Sequence, residues 1–517
     1  MITNMSRIWL LVLGVSVAVI TTRVYGQPDS SSNPRWLLVT TSELAGELEP
    51  LVTRRQQQGF EVLKVYRDVQ LRSSDWNPPS IRNKISELSR EPNRSTYVLL
   101  VGDWNAHHEL SYLPPATGKQ GRMQGAPSDH GYGLPNESGV PTIAVGRFPA
   151  SSVEDVRQFV AKVIRFEDQS SGPWTNRMNL WVGHPGGNSA MEKRLGEAIV
   201  QSAVSRGMSR LHLAWQGNCL IDFPNTPYSV DRKVFRDRMQ SDLAQGQTFA
   251  VYAGHSAAEG IWSEDQFVFS REEWARVNVQ SSPGVVLTTG CFACQMSGRN
   301  GHGFLVEAMH NPHGPVACIG AYAESYAVHG QLALDAFVEL AARPRPPLRL
   351  GDYWLSIAAG IGGGKMDALT FWLYDQADGS RGAVPLEKQR LEHLEMWTLL
   401  GDPALTVPFL EPTLDVQVTA QIGASEVVVE FNVPEELVGG TCETQIQFRP
   451  SVGKGESQQV KLSPPIVNTC TLESGSRFTG TISGLMPLTG GELRVRVFIL
   501  KDGHGALGVA TKSLPRN

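Results

Sequence analysis

The sequence predicts an α/β region with parallel sheets and helices on both faces, followed by an immunoglobulin-like β-sandwich. From Trp36 to about Trp397, short apolar runs alternate with segments whose apolar residues recur at helical spacing. This alternation is typical of βαβ units, which bury both faces of a parallel sheet. From about residue 411, seven short stretches alternate apolar and polar residues, which is typical of a sandwich of antiparallel strands.

The first half of the α/β region contains four predicted strands. A helix over residues 42–58 is interrupted by Pro50, and a second helix begins near Ile81. Ser151 and Glu154 form a capping-box pattern at the start of a third helix, which runs to Glu167. Residues 104–140 are rich in Gly and Pro and predict a long loop region. The predicted strands are 36–41, 60–66, 96–103 and 141–148.

A second βα series begins near Met178, and helical segments are predicted to continue to about Trp397. Its predicted strands are 178–183, 211–215, 248–255, 284–291 and 314–322, and its predicted helices include 190–206, 231–246 and 303–310. We therefore divide the chain into a signal peptide at 1–26, an N-terminal α/β subdomain at 27–170, a second α/β subdomain at 171–409 and the sandwich at 410–517.

The N-terminal residues have the pattern of a secretory signal peptide. Arg7 precedes an apolar run from Ile8 to Ile20, and small or polar residues follow up to Gly26. The run is short for a membrane span, although an uncleaved anchor is the alternative. We expect a secreted, periplasmic or cell-surface protein with no stable membrane span after cleavage. The net charge of −5 gives no argument for a nucleic-acid partner.

Two predicted strands end on residues that can carry out chemistry. One ends on His255 and the other on Cys291, and the separation suits a strand, a crossover and a parallel strand. Parallel strands end at the same edge of a sheet, where open α/β folds place their ligands. Either residue alone is more often structural, so it is the pairing that indicates a site. Gly254 and Gly290, just before them, allow sharp turns and a close substrate.

A thiol and an imidazole together suit nucleophilic catalysis. A thiol of ordinary pKa is only slightly ionised at neutral pH, and a nearby imidazole increases its reactivity or supplies a proton to the leaving amine. The backbone N–H groups of Ser256 and Cys291 follow the two strands and could stabilise a developing oxyanion.

Cys294 allows other interpretations of the cysteine motif. Cys291 and Cys294 form a CxxC pair, which could close a disulfide and silence the nucleophile as a redox switch. A zinc site needs a second ligand pair, and the nearby His302, His310 and His313 lie in loop-like sequence without convincing spacing. We therefore predict no metal ligands. Two further cysteines, Cys442 and Cys470, could bridge within the C-terminal region.

Several sequence blocks occur together in an order that resembles a known family. The blocks are RRQQQGFEVLKV, YVLLVGD, SDHGYG with PTIAVGRFPASSVEDV, VYAGHSAAEGIW, VVLTTGCFACQ and MWTLLGDPALTV. Each block is weakly specific, but their ordered set over residues 36 to 517 resembles the gingipain family of caspase-fold cysteine peptidases. The family also carries an immunoglobulin-like domain after its catalytic region.

The resemblance implies a fold and roles for particular residues. It implies a caspase-like pair of α/β subdomains, with His255 as the catalytic histidine, Cys291 as the nucleophile, and the N–H groups of Ser256 and Cys291 as oxyanion donors. Tyr326 falls near an aromatic residue that lines the primary specificity pocket. Glu192 falls near an acid that selects a basic side chain. The resemblance also implies structural calcium, and no cofactor is expected to be required.

The sequence also departs from the family pattern at the proposed site. Ser256 follows the histidine where the family usually has glycine, and Cys294 stands where glycine is expected after the nucleophile. The acid that supports the histidine in some members has no clear match, since His184 and Pro185 lie near its place.

These observations lead to three functional hypotheses. The first is a secreted cysteine endopeptidase that cleaves protein or peptide substrates through a thioester acyl-enzyme, with a preference for Arg or Lys before the cut. The second is a sorting transpeptidase that acts on secreted proteins. The third is a catalytically inactive binding protein on the same scaffold.

Overall fold

The structure of the protein is a computed structural model that describes part of the chain. The described residues are 33–91, 94–134, 139–169, 172, 174–175, 177–183, 214–219, 231–263, 266–279, 282–296, 301–341, 348–408, 410–450, 466–472, 477–483, 488, 490–502 and 504–515. The predicted signal peptide and the predicted helix at 190–206 lie outside the described residues.

Ten strands of the α/β region form one continuous sheet. They are β1 (Arg35–Thr40), β2 (Glu61–Tyr66), β3 (Thr96–Val101), β6 (Ala144–Phe148), β7 (Arg177–Val182), β8 (Ala214–Cys219), β9 (Phe249–Ala253), β13 (Val285–Thr288), β14 (Ala317–Ala321) and β15 (Trp397–Leu400). Their spatial order is β2-β1-β3-β6-β15-β14-β13-β9-β7-β8. The predicted α/β fold with a largely parallel sheet is thus confirmed, and the sheet runs through both predicted subdomain ranges.

Strand β15 is the one strand of the described large sheet that sequence reasoning missed. It pairs antiparallel with β14 and parallel with β6, so it joins the two groups of parallel strands. We predicted helical segments to about Trp397, but no strand after them. The strand is only four residues long and follows a helix directly, so it offers too few positions for a period of two to be visible.

Eleven α-helices are described, most of them in connections between strands. They are α1 (Ser42–Ala45), α2 (Glu49–Gln57), α3 (Pro78–Leu88), α4 (Val153–Asp168), α5 (Arg232–Gln245), α6 (Arg271–Trp274), α7 (Phe304–His310), α8 (Ala327–Ala341), α9 (Leu350–Gly363), α10 (Ala368–Asp378) and α11 (Leu386–Met396). A 3₁₀ turn separates α1 from α2, and Pro50 lies in the first turn of α2, where proline is tolerated.

The predicted capping box of α4 was wrong by one residue. The N-cap is Ser152, whose hydroxyl accepts the Asp155 N–H, and the Asp155 carboxylate accepts the Ser152 N–H. The pattern Ser151–Glu154 has the same spacing, but Ser151 instead donates its hydroxyl to Asp155. Two consecutive serines are each followed, three residues later, by an acidic residue. The motif therefore fits the sequence in two registers, and the sequence alone could not choose between them.

Small elements fill the region that was predicted as a loop and the region after β9. They are β4 (Ala116–Thr117), β5 (Pro127–Ser128), β10 (Ser256–Ala257), β11 (Gly260–Ser263) and β12 (Gln266–Ser270). The last three form an antiparallel sheet that begins immediately after His255.

Apolar side chains cover both faces of the large sheet. Along β1, Trp36 and Leu38 belong to the largest core, whereas Leu37 and Val39 belong to a second core that includes Ile81 of α3. Successive side chains of a strand point to opposite faces, so helices must pack on both sides of β1. No helix within the described ranges is long and apolar enough to cross a membrane.

The C-terminal region is a sandwich of two antiparallel-dominated sheets. Its strands are β16 (Pro412–Leu414), β17 (Val416–Ala420), β18 (Glu426–Asn432), β19 (Thr441–Pro450), β20 (Ile466–Thr471), β21 (Arg477–Ser483), β22 (Gly491–Lys501) and β23 (His504–Leu514). The sheets have the orders β16-β23-β22-β19-β20 and β17-β18-β21. Buried residues of both sheets, such as Val429 and Val497, share one core, which is consistent with the predicted immunoglobulin-like sandwich.

Strand β20 differs from the sequence prediction. We did not predict a strand at Ile466–Thr471, and the predicted stretch QQVKLS lies outside the described residues. Cys470 of β20 lies opposite Cys442 of β19, and both thiols are free in this structure. A bridge between them therefore stays a prediction.

A buried ion network ties the first helical segment to the end of the α/β region. The Arg55 guanidinium donates to Asp402 at 2.7 and 3.0 Å and also contacts Glu167 at 2.9 Å. Trp36 donates its indole N–H to Asp402 at 3.0 Å. Arg55 and Asp402 have no solvent exposure, so each charge depends on the other for compensation.

Replacing Asp402 should therefore destabilise the fold strongly. Asp402→Ala should lower the free energy of unfolding by about 3–5 kcal/mol, because the buried Arg55 loses one of its two carboxylate partners and Trp36 loses its acceptor. Asp402→Asn should cost less, because it keeps an acceptor for Trp36. Urea denaturation followed by tryptophan fluorescence measures both. Glu154→Ala removes an exposed ion pair with Arg157 and should change the value by less than about 0.5 kcal/mol; an equal loss in Asp402→Ala would contradict the role of the network.

Candidate active site

The register of two parallel strands brings His255 and Cys291 to one edge of the sheet. Strands β9 and β13 are direct neighbours, and Tyr252 pairs with Thr288. His255 and Cys291 each follow three residues after this pair, so they occupy equivalent positions beyond the two strand ends. Both side chains are half-buried. The two strands therefore end on the same edge of the sheet, as the sequence predicted.

A hydrogen bond joins the two strand ends directly. The Ser256 hydroxyl donates to the carbonyl oxygen of Cys291 at 2.7 Å. A β-carbon at Gly290 would lie 2.1 Å from the Ser256 Oγ and 3.1 Å from the Gly254 carbonyl oxygen, which is too close for any side chain. Gly290 thus makes room for Ser256, and the close approach of a substrate stays a prediction.

The hairpin after His255 leaves one predicted oxyanion donor facing away from its partner strand. The Trp262 N–H donates to the His255 carbonyl oxygen at 3.1 Å, next to the pair Ser256–Ile261. In an antiparallel ladder this makes Ser256–Ile261 a pair without mutual backbone hydrogen bonds. The Ser256 N–H consequently points away from β11.

The chain turns sharply after β13 and runs beside the loop that follows β14. Phe292 adopts φ of 56°, a left-handed conformation that non-glycine residues rarely take. Its N–H donates to the Ala323 carbonyl oxygen at 3.1 Å, and the Cys294 N–H donates to Ala321 at 3.0 Å. The thiol of Cys291 points at the Ser325 carbonyl oxygen, 3.6 Å away.

The surroundings of Cys291 favour its neutral thiol. Burial raises the pKa of Cys291 to about 12, and the carboxylates of Asp378 and Glu324 act in the same direction. The Ser325 backbone and the Arg122 guanidinium act in the opposite direction. Because a buried anion next to two carboxylates is unfavourable, the thiol is un-ionised at neutral pH.

Asp378 is a carboxylate of the site that sequence reasoning missed. It is half-buried at the end of α10, and its charge acts on both Cys291 and His255. Burial raises the pKa of Asp378, while the nearby His255 opposes that shift. More than eighty positions separate it from the Cys291 motif, so no local pattern indicated it.

Tyr326 lies in the loop beside the thiol, and its ring lies close to two other groups. The Arg122 guanidinium carbon is 4.0 Å from the centre of the Tyr326 ring. The imidazole of His393 lies at 5.1 Å from the same centre. Arg122 also forms ion pairs with Glu392 at 2.8 Å and Glu324 at 3.2 Å. Sequence reasoning singled out Tyr326 but none of these partners, which come from distant segments.

Other predicted groups are not brought to the thiol within the described residues. Glu192, His184 and Pro185 lie outside them. The thiols of Cys291 and Cys294 are both free, and a β-carbon at Gly320 would lie 3.2 Å from the Cys294 sulfur, which is fully buried. In the described part of the chain, no group of three or more His, Cys, Asp or Glu side chains could hold a metal ion.

Comparison with known proteins identifies the family. The model of Peptidase family C25 matches residues 29–408, so the chain belongs to that family. Gingipain R2 of Porphyromonas gingivalis is 23% identical over 420 residues, which are 79% of this chain and 50% of the relative. Gingipain R1 of the same species is 22% identical over 474 residues, which are 89% of this chain and 42% of the relative. The chain spans about half or less of the length of these curated relatives.

Solved structures agree with the family at the level of the fold. The Arg-specific cysteine proteinase gingipain R has a TM-score of 0.54 at 16% identity, with 93% of this chain and 98% of that chain covered. The complex of the pro- and mature domains of Porphyromonas gingivalis RgpB has a TM-score of 0.53 at 16% identity, with coverages of 93% and 99%. The expected gingipain-like α/β fold and its C-terminal β-domain are therefore confirmed.

The half-buried Cys291 thiol should react with alkylating agents only as the pH rises far above the usual range for cysteine. In His255→Ala, carbamidomethylation of Cys291 by iodoacetamide should accelerate about tenfold per pH unit up to pH 10 without a plateau, because the thiolate is the reactive form. Peptide mass spectrometry measures the rate. The same variant unfolded in urea is the control, and its thiol should level off above about pH 9; the same plateau in the folded variant would show that burial does not raise the pKa.

Proposed function

We propose that the protein is a cysteine endopeptidase with Cys291 as nucleophile and His255 as proton-transfer group. The observation that carries the proposal is the register of β9 and β13, which places both residues three positions beyond a paired Tyr252 and Thr288. Membership of Peptidase family C25 supports the reaction class.

In the proposed mechanism, proton transfer accompanies the attack on the substrate. The neutral Cys291 thiol loses its proton to His255 as the sulfur attacks the scissile carbonyl carbon. The resulting oxyanion is stabilised by the N–H groups of Ser256 and Cys291. His255 then gives the proton to the leaving amine, and a thioester remains on Cys291. Water, activated by His255, hydrolyses the thioester and restores the thiol.

The Ser256 side chain is compatible with this oxyanion site. Its hydroxyl is engaged by the Cys291 carbonyl oxygen, and Ser256 is almost completely buried. The Ser256 side chain therefore connects the segment after β9 to the segment after β13. The backbone N–H of Ser256 points away from β11, so it is not used in pairing with that strand.

The nucleophile can be tested by a thiol-directed activity probe. Cys291→Ala should abolish both probe labelling and peptide cleavage, because no other group in the mechanism can form the thioester. Cys470→Ala is the matched control, since this half-buried thiol lies in the distant sandwich and should leave labelling unchanged. Labelling and cleavage that persist in Cys291→Ala would reject the assignment. Wild-type protein that neither labels nor cleaves would instead favour the inactive binding scaffold, and product transfer to an added amine would favour the transpeptidase.

We further propose that the protein prefers a basic residue before the cut. Asp378 and Glu324 place two carboxylates close enough to Cys291 to influence its ionisation, so a cationic side chain would be attracted to the nucleophile. Asp378 is half-buried, where the same charge interacts more strongly than at the surface. Glu192, which the resemblance implies for this role, lies outside the described residues, and the two acids could act together.

Removing the Asp378 charge should reduce the preference for basic residues. Asp378→Asn should lower kcat/KM for a peptide with Arg before the cut by about tenfold or more, which corresponds to the loss of a charge-assisted contact. Cleavage of a matched peptide with a neutral residue should change little. Glu426→Gln, in the sandwich, is the control. An equal loss for both peptides would show that Asp378 acts on the catalytic residues and not on the substrate.

Secretion and calcium binding are two further proposals. We propose secretion from the signal-peptide pattern at 1–26 and from the expectation that peptide substrates lie outside the cell. Structural calcium remains an expectation from the family resemblance, and no catalytic step is assigned to it.

A further inference from the structure

A short turn after β14 supplies the group that contacts the thiol. The Ser325 carbonyl oxygen accepts from Cys291, and the next residue, Tyr326, begins the entry into α8. Two side chains form hydrogen bonds with this turn. Trp397 donates its indole N–H to the Ser325 hydroxyl at 3.3 Å, and the Tyr326 N–H donates to Nε2 of His393 at 2.9 Å.

The bonds of His393 define its tautomer. Nδ1 lies 2.7 Å from the Gln389 carbonyl oxygen, which can only accept, so Nδ1 carries the proton. Nε2 is therefore left with a lone pair directed at the Tyr326 N–H. Burial lowers the pKa of His393 to about 3, which keeps the imidazole neutral and able to accept.

His393 belongs to a buried polar cluster that extends to the loop after Asp378. Its ring stacks on His329 with 4.0 Å between centres, and neither ring has solvent exposure. His329 contacts the Gln389 side-chain oxygen at 3.3 Å, and Gln389 donates to Asp375 at 3.0 Å. Asp375 in turn accepts the Gly382 N–H at 2.6 Å, in the loop that follows Asp378.

We propose that His393 is a positioning residue for the nucleophile: by accepting the Tyr326 N–H, it fixes the Ser325–Tyr326 turn against the Cys291 thiol. This inference rests on the proposed peptidase function. His393 touches neither Cys291 nor His255 through any contact described above, and it acts through the turn alone. Without this acceptor the part-buried Tyr326 N–H would lose its partner and the turn would be free to shift, and a small displacement at a reacting atom lowers the rate strongly.

Two phenylalanine variants separate positioning from general packing. His393→Phe and His329→Phe each keep an aromatic ring in the stacked pair and each remove one buried imidazole, but only the first removes the acceptor for Tyr326. His393→Phe should lower kcat by about tenfold or more with KM within about threefold, and should speed hydrogen exchange at the Tyr326 N–H by about tenfold or more. His329→Phe should change these quantities by less than about threefold.

Amide variants at the same position provide the rescue test. His393→Gln places an amide oxygen near the position of Nε2 and should restore kcat and slow Tyr326 exchange, whereas His393→Asn places its amide near Nδ1 and should not. Equal effects of the two phenylalanine variants, or equal effects of Gln and Asn, would overturn the proposal. This amide comparison also serves if His393→Phe fails to fold. If wild-type protein cleaves no peptide, the proposed function fails, but exchange at the Tyr326 N–H still tests the positioning role.

Discussion

The pairing of β15 is the constraint on which the sheet and the candidate site both depend. This four-residue strand runs antiparallel to β14 and parallel to β6, and it is the only link between the two groups of strands in the described sheet. Gly401, directly after it, has φ of 140°, and a β-carbon there would lie 2.6 Å from the Ala317 side chain. Asp402 follows, and its carboxylate accepts hydrogen bonds from Arg55 and Trp36. Hydrogen bonds therefore join the end of the α/β region to its beginning.

The same strand positions the surroundings of the nucleophile. Trp397, its first residue, donates to Ser325, and Met396 just before it accepts the Tyr322 N–H. His393, one helical turn earlier, accepts from Tyr326. The loop after β14 is thus held along its length by one segment of chain. A change in the pairing of β15 would move that loop relative to β13 and so relative to Cys291.

The sequence predicted the strands that carry the catalytic pair because their local signals are strong. Each of β9 and β13 is a short apolar run that is followed within two residues by a glycine and then by a residue capable of chemistry, and parallel strands share an edge. Two of the motif blocks also contact each other, which the sequence did not reveal. Asp129 of the SDHGYG block and Arg147 of the GRF block form a buried bidentate ion pair at 2.7 Å.

The remaining parts of the site could not be predicted, because they come from long-range packing. Asp378, Arg122 and His393 lie on separate segments, and none has a local pattern that distinguishes it from an ordinary surface or core residue. Strand β15 was too short to show a period, and the two registers of the α4 capping box were equivalent in sequence. Placement of a side chain across a fold depends on strand order, which local spacing does not determine.

The charges around Cys291 connect substrate choice with reactivity. Asp378 and Glu324 disfavour the thiolate, and burial disfavours it further. If Asp378 binds a cationic side chain, as proposed, the bound cation offsets those negative charges. This offset lowers the thiol pKa. A substrate with the right side chain would then make proton transfer from Cys291 to His255 easier, while the empty site keeps its thiol neutral and slow to oxidise.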